Sequence, residues 1–337
     1  MATSDLCEVL KKHAAASNAI NDEDVEMSDA TTGAGSSYGQ NISATPTIDS
    51  ATERKICEAV LRRVDDSSND VQAIAVKTLG VLVTCVHEDQ VVTIAERLGA
   101  LVLDKTKSDL RDIYAIGLRT LVTTVPMKMG DIVSNRLAAE LLDGLSKNSS
   151  AIDFNSQEKK DKDAAKVAEE ISLACLEILT ELLTRFGALP FITRLHGDLL
   201  QVVTMKGLQS KSHLIRKRAG NTIGSLSVVL SDDLLRRLVD NLLTQIDNAD
   251  AIGKSAKRRS KRSLSSEDDN ALNSKPTDTT ALIRTMCTVS GYIGHRLTQE
   301  QIDRLVPIFL VCTKKFTDKR THSYLFTLHF PLNNIMI

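Results

Sequence analysis

Apolar residues recur at helical intervals along most of this chain. In the stretch Asp70 to Val86, the residues Val71, Ile74, Ala75, Leu79, Leu82, Val83 and Val86 keep to one face of a helix. The preceding stretch, about 52–64, places Ile56, Ala59, Val60 and Val64 on one face. Between them lies a polar turn, Asp65-Asp66-Ser67-Ser68-Asn69, from which Ser68, Asn69 or Asp70 can cap the second helix. The pattern predicts two antiparallel helices joined by a short turn. Cousins of the second helix begin at Asp109 and at Leu214. Gly80, Gly117 and Gly224 fall inside these helices, where Gly costs about 1 kcal/mol relative to Ala. A closely approaching neighbour helix is the expected compensation.

Aligning the apolar stripes puts Leu110, Ile171, Ile215 and Ala281 in the place of Val71. The place of Leu79 is then taken by Leu118, Leu179, Ile223 and Val289. The successive spacings are 39, 61, 44 and 66 residues. The short ones match the roughly 40–47 residues of a two-helix HEAT or armadillo unit. The long ones contain polar inserts, and removing about 20 residues from each restores the repeat length. The expected fold is all-α, an α-solenoid of HEAT-type antiparallel helix pairs, with about six units and the first incomplete. Its divisions are 1–13, the second helix of an incomplete first repeat; 14–51, a disordered acidic and Gly/Ser/Thr-rich loop; 52–146, HEAT repeats; and 147–166, a polar insert. Further repeats occupy 167–250, a disordered basic and Ser-rich insert 251–278, one more repeat 279–312, and an atypical tail 313–337. That tail holds Phe316, Tyr324, Phe326 and Phe330 and does not continue the helical period.

Composition supports a partner surface over an active site. Hydrophobic residues make up 42% of the chain but aromatics only 3%, so a continuous core must be aliphatic. The net charge of -1 gives no global field for nucleic acid or membrane. No apolar run nears the roughly 20 residues of a membrane span, and the N-terminus lacks the apolar core of a signal peptide. The expectation is a soluble chain of the cytoplasm and nucleus, in which the cysteines at 7, 57, 85, 175, 287 and 312 act as small apolar residues.

Catalytic motifs are incomplete. His87-Glu88 opens a zinc-protease helix motif, but Val91 stands where its second His belongs. Gly253-Lys254-Ser255 ends like a phosphate-binding loop, but Asn248 replaces the upstream Gly. No His pairs with Cys at metal-ligand spacing. The expectation is a non-enzyme with no cofactor, no metal and no small-molecule substrate.

Charge clusters suggest where partners touch. Arg216, Lys217 and Arg218 open one repeat helix, with Arg111, Asp112 and Arg119 near the equivalent place earlier. They read either as an inter-repeat charge ladder or as a partner-facing stripe along the second helices. Charge on such a stripe governs association rate and specificity more than raw affinity. Lys254, Lys257, Arg258, Arg259, Lys261 and Arg262 put six cations in nine residues. The run reads as a solvated linker, a nuclear-import signal or, less readily without nearby aromatics, a nucleic-acid contact. Ser260, Ser263, Ser265 and Ser266 lie beside it, so phosphorylation could offset its charge.

Particular strings add a resemblance. They are Met1-Ala2-Thr3-Ser4-Asp5-Leu6, Glu53-Arg54-Lys55, Ala75-Val76-Lys77-Thr78-Leu79-Gly80 and Leu110-Arg111-Asp112-Ile113. Further along stand Ile116-Gly117-Leu118-Arg119-Thr120, Ile215-Arg216-Lys217-Arg218 and Gly294-His295-Arg296-Leu297. In this order they resemble the N-terminal part of the cullin-associated, neddylation-dissociated family, HEAT-repeat exchange factors of cullin–RING ubiquitin ligases. The resemblance covers roughly 1–13 and 51–312 with the inserts skipped. It implies a scaffold that holds the C-terminal region of an unneddylated cullin with its RING-finger subunit, restrains neddylation there and contributes to substrate-receptor exchange in SCF-type ligases. It also implies a truncated form without the adaptor-displacing end. Another HEAT adaptor, importin-like or a regulatory scaffold, is the alternative.

Overall fold

The computed structural model describes residues 2–23, 48–152, 159–260 and 279–315. Within them the chain is helical, and no strand occurs among the described residues. Helices α1 (Ala2–Glu23), α2 (Ser50–Val64), α3 (Asn69–Leu82), α4 (Glu88–Leu103), α5 (Arg111–Thr124) and α6 (Gly130–Ile152) come first. Helices α7 (Lys159–Phe186), α8 (Pro190–Val202), α9 (His213–Val229), α10 (Asp232–Ser260), α11 (Thr279–Ile293) and α12 (Gln299–Lys315) follow. The chain forms two compact units, Met1–Leu137 and Ala138–Ile337.

In the first unit, α3 packs on its pair partner α2 and also on α1 and α5, and α4 pairs with α5. In the second, α9 packs on α7 and α11, and α10 packs on α11 and α12. The odd-numbered helices thus stack on one another within each unit, and α2–α3, α4–α5, α8–α9 and α10–α11 are packed neighbours. This is the all-α, HEAT-type solenoid class expected, with α1 preceding the first packed pair.

Register follows the apolar stripe closely. Leu79, Leu118, Leu179, Ile223 and Val289, aligned by pattern alone, are all at most 1% exposed. The first helix of the reference pair departs from the pattern. Ala59 is exposed and Ile56 half-buried, while Glu53, Cys57, Val60, Leu61 and Val64 form the buried stripe of α2. A carboxylate heads this stripe because it has partners. Both Glu53 oxygens lie 2.8 and 2.9 Å from His87 Nδ1, and the His87 backbone N–H donates to one of them at 3.5 Å. His87, read in sequence as the start of a failed metal motif, ties the start of α4 to α2.

Helix ends differ from the pattern in detail. Ser68 is the N-cap of α3, but its side chain makes no capping bond. The turn is held instead by Asp66, whose carboxylate accepts the Ser68 N–H at 3.1 Å. Asp49 caps α2, accepting from the Ala51 and Thr52 N–H groups at 3.1 and 3.0 Å. Helix α1 runs on past residue 13 through Ala14-Ala15-Ala16, residues of the highest helix propensity, to Glu23. The flanks of the expected inserts are likewise helical, with α6 reaching Ile152, α7 starting at Lys159 and α10 continuing to Ser260. Residues 24–47, 153–158 and 261–278, and the tail 316–337, lie outside the described residues.

The interior glycines divide into two kinds. A Cβ on Gly80 would stand 3.0 Å from Thr120 Cγ2, and one on Gly224 only 2.6 Å from Thr288 Cγ2. Both therefore admit the next stacked helix, as expected. Gly117 does not, since its nearest neighbour would be Leu79 Cδ2 at 3.7 Å, an ordinary contact. Gly220 shows a tight approach that the pattern did not single out, 2.7 Å to Thr285 Oγ1.

Candidate partner-binding surface

The charged residues expected to face a partner separate by what the local fold asks of them. Arg111 is buried, 1% exposed, at the first turn of α5. Its Nε donates to the Val102 carbonyl at 3.1 Å and its Nη2 to the Asp104 carbonyl at 2.9 Å. Both carbonyls close the end of α4, where a helix leaves acceptors without intrahelical donors. Arg216 stands at the equivalent place in α9 and donates from Nη1 to the Ser210 and Lys211 carbonyls at 2.7 and 2.8 Å. Gln72 fills the same place in α3 and donates to the Asp66 carbonyl at 2.7 Å. One position, just after the reference apolar residue, thus carries a long donor side chain that fastens the preceding loop. Arg111 therefore belongs to the core and not to a surface stripe, and Arg216 is half-buried in the same role.

The remaining candidates lie nearer the surface. Asp112 and Lys217 are exposed and Arg119 is half-buried. Arg218 reaches across to α7, where its Nη2 meets Glu177 Oε1 at 2.7 Å. That pair is a rung of an inter-repeat ladder, and its neighbours are hydroxyl rungs. Thr180 and Thr222 oxygens lie 2.9 Å apart, and Thr184 donates to Ser225 at 3.4 Å. Ser212 caps α9 and also bonds Glu169 of α7. Of the basic run, Lys254, Lys257, Arg258 and Arg259 fall on the last turns of α10, and Lys261 and Arg262 lie outside the described residues. The phosphate-loop-like Gly253-Lys254-Ser255 is likewise part of that helix.

The odd-numbered helices also display apolar side chains that the stripe did not mark. Ile116 is 48% exposed on α5, Leu214 54% and Val228 51% on α9, and Tyr292 57% on α11. A stripe tuned to the core could not find exposed positions of this kind. His213 and Arg284 were also missed. They meet across α9 and α11, with 3.4 Å between Arg284 Nη1 and His213 Nε2.

The ionisation shifts follow from local hydrogen bonds, ion pairs and burial. Side-chain and main-chain bonds from Thr52 hold the Asp49 carboxyl below the usual range. The Arg296 guanidinium, 2.6 Å away, does the same for Asp232. Burial, helped by Glu53, pushes the Cys57 thiol up to about 11. Among the described residues no group of His, Cys, Asp and Glu could hold a metal ion, and no helix is long and apolar enough to cross a membrane.

No family model matches the chain. Curated proteins do match it along most of its length. A cullin-associated NEDD8-dissociated protein 1 of Drosophila melanogaster is 33% identical over 202 residues, 60% of this chain and 14% of that protein. The protein of the same name in Dictyostelium discoideum is 31% identical over 205 residues, 60% of this chain and 15% of its own length. A cullin-associated NEDD8-dissociated protein 2 of Mus musculus is 31% identical over 262 residues, 77% of this chain and 18% of its own length. The chain spans less than a fifth of these relatives. Its stacked helix pairs and these matches make the chain similar to a stretch of the cullin-associated NEDD8-dissociated proteins.

Proposed function

We propose that this chain is a non-catalytic scaffold for a cullin, binding the C-terminal region of the unneddylated form together with its RING-finger subunit and restraining neddylation there. The observation that carries this reading is the similarity over 77% of the chain to a protein named for cullin association and NEDD8 dissociation. The fold supports it, since stacked helix pairs offer extended faces for a large partner. Contacts of this kind spread over well above about 1,000 Å², so exposed residues such as Asp112 and Lys217 contribute as part of a broad surface. The contribution to substrate-receptor exchange belongs to the same reading.

The test is reconstitution from purified components. Immobilised chain retains an unmodified cullin–RING pair, and adding the chain slows conjugation of NEDD8 to that cullin. No retention of the pair at micromolar concentrations refutes the proposal. We place the chain in both cytoplasm and nucleus, with Lys254–Arg262 as the import signal. Deleting those residues should confine a fluorescent fusion to the cytoplasm, and an unchanged distribution assigns the run to a solvated linker.

A further inference from the structure

Within the second unit, α9 and α11 lie side by side, and neither contains an Asp or Glu. Their shared seam is basic. His213 and Lys217 stand one turn apart on α9 and are both exposed. Arg284 of α11, also exposed, brings its Nη1 within 3.4 Å of His213 Nε2. Carboxylates of α7 beside α9 are already engaged. There Glu177 is paired with Arg218, Glu169 bonds Ser212, and Glu170 is half-buried. Leu214, 54% exposed, stands three and four residues before Lys217 and Arg218 on α9.

We infer that the α9–α11 seam docks an acidic protein segment that carries an apolar side chain for Leu214. This rests on the reading of the chain as a partner-binding scaffold and names the chemistry that one of its surfaces takes. The exposed cations Lys217 and Arg284, linked through His213, are met by an incoming carboxylate, and the exposed leucine beside Lys217 rewards an apolar neighbour. Nucleic acid fits less well. The aromatic ring of α11, Tyr292, lies two turns beyond Arg284 and packs over Gly224, leaving no ring beside the cations to stack a base.

Fluorescence polarisation on the full chain reads the site, with a short labelled peptide of Glu and Asp around a single Leu as probe. Binding should weaken with added salt. It should fall about tenfold in the double variant Lys217→Glu, Arg284→Glu, and severalfold in Leu214→Ser, with helical circular dichroism unchanged in both. No binding by the parent chain, unchanged affinity in either variant, or tighter binding of a short single-stranded DNA overturns the inference. Retention of the cullin–RING pair by the same proteins is scored separately. A parent chain that holds the pair while the double variant binds peptide as before leaves the scaffold function standing and removes this seam from it.

Discussion

At the scale of single residues, the same chemical type plays opposite parts according to its place on the helix. Arg111 and Arg218 look alike in the sequence, yet one is sealed against carbonyls and the other bridges two repeats in solvent. Removing the Arg111 side chain should cost about 2–4 kcal/mol, because buried acceptors lose charged donors and a void remains. Truncating Arg218 should cost about 0–1 kcal/mol, as for an exposed pair. Urea unfolding of Arg111→Ala and Arg218→Ala measures both, and equal costs would refute the distinction. The glycines offer a second contrast. Gly117→Ala should stabilise by about 0.5–1 kcal/mol, since the added methyl meets only ordinary contacts. Gly224→Ala should destabilise by about 1–3 kcal/mol, because Thr288 and Tyr292 must move. Thiol reactivity belongs at this scale too. Cys57, buried and with its thiol raised to about 11, should resist alkylation in the native protein, while half-buried Cys287 reacts before it. Peptide mapping after brief iodoacetamide treatment decides the order.

At the scale of helices and their pairs, much was legible because burial of an aliphatic stripe is a periodic demand. Leu79 and the four positions aligned with it are all core. What escaped has physical reasons. Glu53 heads the buried stripe of α2, a place the pattern did not mark, because His87, distant in sequence, satisfies it. Arg111 reads as a surface cation because periodicity cannot see a carbonyl cage formed by the previous helix. Gly220 and Gly117 could not be told apart without knowing which turn meets the neighbour. The extended ends of α1, α6, α7 and α10 are mostly polar, which a search for apolar periodicity passes over. The candidate surface was legible only in part. The sequence located the stacked second helices, but not which of their charges are exposed.

At the scale of the whole molecule, stability should depend on acid. Asp49, Asp66, Asp104 and Asp232 all titrate below the ordinary value of 3.8, through hydrogen bonds at helix ends and loops and, at Asp232, the Arg296 guanidinium. A carboxyl lowered in the folded state stabilises it above the unfolded value. That contribution fades as pH falls from 3.8 through the lower folded value. Melting temperature should therefore be flat near neutrality and drop below about pH 4. Asp232→Asn should show a shallower drop, and an identical profile would detach Arg296 from the effect. The central claim is that the assembled helix pairs bind a cullin in its unneddylated state. Titrating the purified chain into a cullin C-terminal region with its RING subunit, with and without attached NEDD8, tests it most directly by calorimetry. The account predicts tight binding to the unmodified pair and at least tenfold weaker binding once NEDD8 is attached, a difference of about 1.4 kcal/mol or more. Equal affinity for the two forms, or none for either, would contradict it.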